Sequence, residues 1–236
     1  MGIKTIALTI VIILAIAFIF YNPQEEVGTV IKQKITLQTS DGTSLNADFY
    51  PENSNKGIIL IHMYQQDRTS WDFLIPDLRS KEYSILTFDL RGHGENQIKE
   101  ISQEDFNKMS SDVELALEYL NGQDIQEVSI IGASIGANIG LNYAVRDPKI
   151  HRVALLSPGI EYQGINTLDS IKRYNRPLLI MASEEDEYSW NSSNKLFSLS
   201  KSKIRFEPYK GNLHGIEILK QNQSSRELLL KWLGEN

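Results

Sequence analysis

The sequence predicts an α/β domain in which a doubly wound, mostly parallel sheet carries helices on both faces. Three observations carry this prediction. From about residue 30 onward, short apolar runs of strand length alternate with amphipathic stretches of helical length. Several of those runs are continuously apolar, the pattern of strands buried on both faces. The chain of 236 residues, 41% hydrophobic and 23% charged, is long enough to bury one large core, and beyond about residue 30 it contains no internal repeat or linker that would divide it.

The start of the chain departs from this composition. Residues 5–21 carry no charge, with Lys4 before them and Asn22-Pro23 and Glu25-Glu26 after them. A helix of that length is at the short end of what spans a hydrocarbon core of about 30 Å. The expected organisation is an N-terminal transmembrane anchor over 1–22, a polar linker over 23–29 and the α/β domain over 30–236. The charge bias places the N-terminus in the cytoplasm and the domain on the extracytoplasmic side of the membrane. The alternative is a signal peptide cut after Ala15-Ile16-Ala17, which would release a secreted domain, although bulky residues continue at once to Tyr21.

Within the domain, 30–38 and 44–50 alternate on either side of Ser40-Asp41-Gly42-Thr43, a strong hairpin signal, so an antiparallel pair is expected first. The runs 57–62, 83–88, 127–131, 152–156 and 177–182 read as parallel core strands, and 204–209 as the last strand. The clearest helix is 103–121, where Phe106, Met109, Val113, Ala116, Leu117 and Leu120 recur at spacings of three and four behind a capping box of Ser102 and Asp105. Further helices are expected at 71–81, 135–146, 167–174, 191–199 and 215–233. Right-handed crossovers between these elements produce the doubly wound sheet.

Charge and composition exclude several functions. A net charge of −6 without any sustained Lys/Arg cluster argues against a nucleic-acid partner. The chain has no cysteine, so disulfides, thiolate metal sites and a cysteine nucleophile are all ruled out.

The segment Gly132-Ala133-Ser134-Ile135-Gly136 places G-x-S-x-G directly after an apolar strand and directly before a helical run. Small residues permit a sharp strand-to-helix turn that lifts the serine above the sheet, while the backbone N–H after it faces a developing oxyanion. A Gly-Ser-Gly stretch is by itself only a turn; the strand before it and the helix after it favour function. A serine hydroxyl also needs a base and a group that orients the base. Of the four histidines, His151 reads as a surface residue and His62 and His93 precede Ser134 in loop-structural positions. His214, in Gly211-Asn212-Leu213-His214-Gly215, follows the last strand and is the candidate base. Asp186, just past the strand 177–182, is the preferred acid, with Glu184, Glu185 and Glu187 as rivals and Glu185 foremost among them.

Five stretches in this order resemble the α/β-hydrolase superfamily over roughly residues 30–234: Leu60 to Tyr64, Phe88 to Asn96, the Ser134 elbow, Ser183 to Asp186, and His214-Gly215. The resemblance implies the α/β-hydrolase fold and a Ser134, Asp186, His214 triad. It also implies an oxyanion hole made of the backbone N–H groups of Tyr64 and Ile135. Two residues depart from the family pattern. Met63 stands where glycine is usual, which narrows the approach to the oxyanion position, and Ser183 replaces the glycine before the acid.

The implied reaction is two-step acyl transfer on a small-molecule or acylated substrate, with neither metal nor organic cofactor. Residues 157–176 leave room for one short helix and no large lid, so an open site is expected, with Gln65, Gln66, Asp67, Arg68, Tyr162 and Trp190 as rim candidates. Carboxylic esters rank first as substrates because ester cleavage demands least of a leaving-group site. Lipase, thioesterase, deacetylase and peptidase activity on the same triad remain open, as do a lyase or acyltransferase and a catalytically silent binding module on the same fold.

Overall fold

The computed structural model describes residues 31–96 and 100–235; the expected anchor at 1–22 and linker at 23–29 lie outside them. Among the described residues no helix is long and apolar enough to cross a membrane. Residues Lys32–Asn236 form one compact unit.

The chain enters as an antiparallel hairpin of β1 (Gln33–Gln38) and β2 (Ser44–Tyr50). Its turn is closed by the Gly42 N–H donating to the Thr39 carbonyl, with Gly42 at φ +85°, a conformation that glycine adopts without a Cβ penalty. β3 (Lys56–Ile61) follows, then a 3₁₀ turn at Arg68–Trp71 capped by the Asp67 side chain, and α1 (Ile75–Arg79). The expected helix at 71–81 is thus two short pieces, because Pro76 can only occupy the first turn of a helix. β4 (Ser84–Phe88) leads to α2 (Gln103–Gly122), where both halves of the Ser102/Asp105 capping box form.

β5 (Glu127–Ala133) turns directly into α3 (Ile135–Ala144), and β6 (Ile150–Leu156) follows. Next come a small hairpin, β7 (Glu161–Tyr162) with β8 (Ile165–Asn166), and α4 (Leu168–Arg173). β9 (Leu178–Ser183), α5 (Glu187–Leu199), β10 (Ile204–Tyr209), α6 (Glu217–Lys220) and α7 (Gln223–Leu233) complete the domain. The single helix expected at 215–233 is broken because the Asn222 side chain accepts from the Ser225 N–H and starts a new helix there.

Eight strands form one sheet in the order β1-β2-β4-β3-β5-β6-β9-β10, antiparallel where β2 joins β1 and β4 and parallel from β4 to β10. Because β4 and β5 flank β3 on opposite sides, the connections diverge at β3 and β5, and a crevice opens at their C-terminal ends. Successive strand residues face opposite layers. Ile59, Ile61, Ile130 and Leu155 pack with α2, α3, α4 and α5 residues such as Val113, Ile139, Ile171 and Leu196. Ile58, Leu60, Ile131 and Leu156 pack with Leu78 of α1, Ile218 of α6 and Trp232 of α7. Each fully buried aliphatic side chain of this kind contributes about 1.5–3 kcal/mol relative to exposure.

Two buried ion networks fasten the loops at the crevice end. The Arg91 guanidinium spans Asp112 with two bonds of 2.6 Å and reaches Asp41 of the β1–β2 turn at 3.0 Å. Arg68 donates to Asp89 at 2.6 Å, pairs with Asp48 at 3.2 Å and also holds Glu95. Arg68 was expected at the rim; it is buried because carboxylates from β2 and from the loop after β4 converge on it.

Candidate active site

Ser134 sits between β5 and α3 at φ +53° and ψ −121°, a backbone conformation that costs a non-glycine residue on the order of 1–3 kcal/mol. The turn is held from two sides. The Ser134 N–H donates to the Leu156 carbonyl at the end of β6 at 2.8 Å, and the Ser134 carbonyl accepts from Ala137 at 3.0 Å. Gly136 brings the first turn of α3 against the backbone of β3, where any Cβ would collide with the carbonyl oxygens of Ile61 and His62. The elbow glycine is therefore a close-approach residue that sets the serine beside the exit of β3.

His214 arrives from the loop after β10. Its Nδ1 lies 2.6 Å from Asp186 Oδ2 and its Nε2 lies 2.8 Å from Ser134 Oγ. A carboxylate can only accept, so Nδ1 carries the hydrogen and donates to Asp186, leaving Nε2 to accept the Ser134 O–H. Asp186 is the residue immediately before α5, and its carboxylate is largely shielded while the imidazole is more than a third exposed. The rival acids are placed differently: Glu184, Glu185 and Glu187 are exposed, and the first two bind the Tyr209 and Gly211 carbonyls through their backbone N–H groups.

Two buried serines that carry no motif support the histidine. Ser157 Oγ accepts the N–H of Gly215 at 2.9 Å, and Ser189 Oγ lies 3.4 Å from His214 Nδ1. Nothing in the local sequence marks either residue, since both are ordinary hydroxyls whose partners lie far away in the chain.

The turn after β3 borders the elbow. The Gln66 N–H donates to the Met63 carbonyl at 3.1 Å, while the Tyr64 N–H donates to no backbone carbonyl among the described residues. Ile135 opens α3, where a backbone N–H has no carbonyl partner within the helix. The Met63 side chain packs into the second apolar layer with its sulfur against Gly215. His62 crosslinks this turn to the next loop: its Nδ1–H donates to the Met63 carbonyl at 2.7 Å and its Nε2 accepts from the Leu90 N–H at 2.9 Å. Burial drives the His62 pKa down to about 3 and lowers that of His93 as well, so both rings are neutral. His151 is exposed at the start of β6, far from the elbow end of that strand.

A cleft of about 460 Å³ beside Tyr64 is lined by Gln65, Gln66, His93, Phe106 and Gln163. Gln65 and Gln66 line this cleft, whose lining does not include Ser134, Asp186 or His214, whereas Asp67 is occupied in capping the turn at Thr69 and Trp190 packs against Phe206 at 5.4 Å. Among the described residues no group of His, Asp and Glu side chains is arranged to hold a metal ion.

Comparisons with known proteins bear on the family and the fold. Residues 52–173 match the family described as serine aminopeptidase, S33, a span that includes Ser134 and ends before Asp186 and His214. An esterase from Pyrococcus furiosus superposes with a TM-score of 0.76 at 18% identity, over 86% of this chain and 92% of that one. An esterase from Exiguobacterium antarcticum gives 0.72 at 14% identity, over 86% and 100%. At these identities the likeness is one of fold. An uncharacterized protein of Mycobacterium tuberculosis is 27% identical over 139 residues, 56% of this chain and 37% of its own length. A Mycoplasma pneumoniae protein named as an esterase or lipase is 26% identical over 111 residues, 47% and 40%. The chain therefore spans less than half the length of these curated relatives. With the family match covering just over half of the sequence, the chain belongs to the S33 serine aminopeptidase family of α/β hydrolases.

Proposed function

We propose that the protein is a serine hydrolase of carboxylic esters in which Ser134 is the nucleophile, His214 the general base and Asp186 the group that orients it. The observation that carries this reading is the unbroken chain of two short hydrogen bonds from Asp186 through His214 to a serine on a strained elbow. Ser134 Oγ attacks the ester carbonyl as its proton passes to His214 Nε2. The oxyanion is received by the N–H groups of Tyr64 and Ile135, neither of which donates to a backbone carbonyl among the described residues. Collapse expels the alcohol, which takes the proton from His214, and leaves an acyl-Ser134. Water, deprotonated by the same imidazole, then attacks the acyl group and releases the acid. Packing of Met63 against Gly215 supports an oxyanion position that this side chain does not fill.

Purified protein should hydrolyse p-nitrophenyl acetate and take up a fluorophosphonate label. Ser134→Ala should lose both, with a rate loss on the order of 10⁶-fold. Undiminished labelling of that variant would refute the assignment, and an unlabelled wild type would favour a silent binding module. The family description favours a second reading, cleavage of an amino-terminal peptide bond on the same triad. Matched ester, thioester and amino-acid amide substrates separate the two by relative kcat/KM. We further propose that the apolar run 5–21 anchors the chain with the hydrolase domain on the extracytoplasmic side. Protection of the domain from protease added to intact cells would overturn that topology.

A further inference from the structure

The small hairpin β7–β8 is fastened far more thoroughly than a surface connection of its length requires. Asn138 of α3, fully buried, donates to the Ile165 carbonyl at 2.8 Å and accepts from the Gly159 N–H at 3.1 Å. Asn142 donates to the Asn166 carbonyl at 3.0 Å, and Gln103 of α2 to the Gln163 carbonyl at 3.0 Å. From α5, the Tyr188 hydroxyl donates to the Glu161 carbonyl at 2.6 Å and accepts from the Glu161 N–H at 3.1 Å. Three helices thus hold one hairpin in register.

What this fastening delivers is the side chain of Tyr162. Its ring lies over Gly159, where a Cβ would come within 2.6 Å of Cε2, and stands edge-on to the His214 imidazole with centroids 6.4 Å apart. The hydroxyl is 2.9 Å from Ser189 Oγ and 3.3 Å from the Ser157 carbonyl. Burial pushes the phenol pKa up to about 12, while hydrogen bonding to Ser189 and to Ser134 works in the opposite direction. The hydroxyl stays protonated in the range where the enzyme would work.

We propose that Tyr162 is a further catalytic residue, a hydrogen-bond donor to the leaving-group oxygen of the substrate. The proposal rests on the serine-hydrolase reading above. Once Ser134 Oγ is bonded to the carbonyl carbon, the oxyanion points towards the N–H groups of Tyr64 and Ile135. The leaving group must then face His214 Nε2, which supplies its proton. Tyr162 flanks the imidazole, with its ring edge-on to His214 and its hydroxyl between Ser189 Oγ and the carbonyl of Ser157, the residue after Leu156, whose carbonyl holds the Ser134 N–H. A separation of 3.3 Å is long for O–H···O, so the phenol hydrogen is only weakly committed to the Ser157 carbonyl. Ser189 can donate to the phenol oxygen, which frees the phenol hydrogen to turn to an oxygen that is gaining negative charge. The C–O bond breaks, His214 gives its proton to the departing oxygen, and Tyr162 keeps its own.

The test compares two esters with the same acyl group, ethyl acetate and p-nitrophenyl acetate, on the full-length wild type and Tyr162→Phe. Phenylalanine keeps the ring against Gly159 and removes only the hydroxyl. A donor to a departing alkoxide matters most where the leaving group is strongly basic. The expected loss in kcat/KM is about 10- to 100-fold on ethyl acetate, the range of one hydrogen bond to a charged group. On p-nitrophenyl acetate, whose leaving group holds its charge unaided, it is about threefold or less. Equal losses on the two esters would mean that Tyr162 only braces the loop, which overturns the proposal and leaves the Ser134 reading standing. A wild type inert towards both esters, or a Ser134→Ala variant that retains their hydrolysis, would remove the underlying reading and this proposal with it.

Discussion

Mild acid should destabilise this domain through His62. The ring is completely buried, its Nδ1–H is committed to the Met63 carbonyl, and its Nε2 accepts the Leu90 N–H. Protonation puts a second hydrogen on Nε2, opposing donor to donor, in a fully buried site that screens the new charge poorly. Burial accordingly lowers the pKa from 6.5 to about 3. The unfolded chain binds this proton below pH 6.5 and the folded chain does not until about pH 3, so the stability held by neutral His62 is complete above 6.5 and is lost as the pH falls towards 3. At roughly 1.4 kcal/mol per pH unit, the loss is about 2 kcal/mol by pH 5. Urea unfolding of the wild type and His62→Gln at pH 7, 6 and 5 measures it. Glutamine keeps one donor and one acceptor but cannot titrate, so the variant should be less stable at pH 7 and should lose about 2 kcal/mol less on going to pH 5. His93, whose pKa burial also lowers, acts alike in both proteins and cancels. If the two proteins lose the same stability between pH 7 and pH 5, the reasoning fails.

On the proposed mechanism, Asp186→Asn should cost about 10³- to 10⁴-fold in kcat on p-nitrophenyl acetate, because an amide no longer selects the imidazole tautomer that accepts the Ser134 proton. Glu185→Gln, at an exposed position, should stay within about twofold. Gly136→Ala should lower stability by about 1–3 kcal/mol or more in thermal unfolding, since its Cβ meets fixed backbone of β3 rather than a side chain that can turn aside. Gly122→Ala, with open space around the same atom, should be neutral or slightly stabilising. Arg91→Met should cost about 3–5 kcal/mol in urea unfolding by leaving Asp112 buried and unpaired, and adding Asp112→Leu should recover part of the loss.

The sheet was legible because each core strand is a short run buried on both faces, so its signal is local. Ser134 was legible for the same reason: an elbow needs small residues at fixed spacing within five positions. His214 was reached by exclusion among four histidines. Asp186 stood among three other acids that no periodicity separates. What distinguishes it is its place one residue before α5 begins, a boundary that the sequence reading put at 191 and the structure puts at Glu187. With the helix starting there, the side chain before it turns back towards the histidine loop while those of Glu184 and Glu185 face solvent.

The residues that escaped the sequence share one property: their roles depend on partners that lie far along the chain. Arg68 reads as a polar loop residue until Asp48 and Asp89, twenty or so positions away on either side, close on it. Ser157 becomes a support for the histidine loop only when Gly215 arrives 58 residues later. The β7–β8 hairpin offers two residues per strand, too few for alternation to appear, and its order comes from Asn138, Asn142, Gln103 and Tyr188. None of these is a turn-former of the hairpin itself. On the proposed mechanism the reaction class is written locally at the elbow, whereas control over the leaving group would be written in long-range contacts around Tyr162. On that reading, a graft of Gly132 to Gly136 alone would carry the proposed nucleophile but not the selectivity. Relatives that keep the elbow while changing the residues at 138, 162 or 188 should differ in leaving-group preference before they differ in whether they react with a fluorophosphonate.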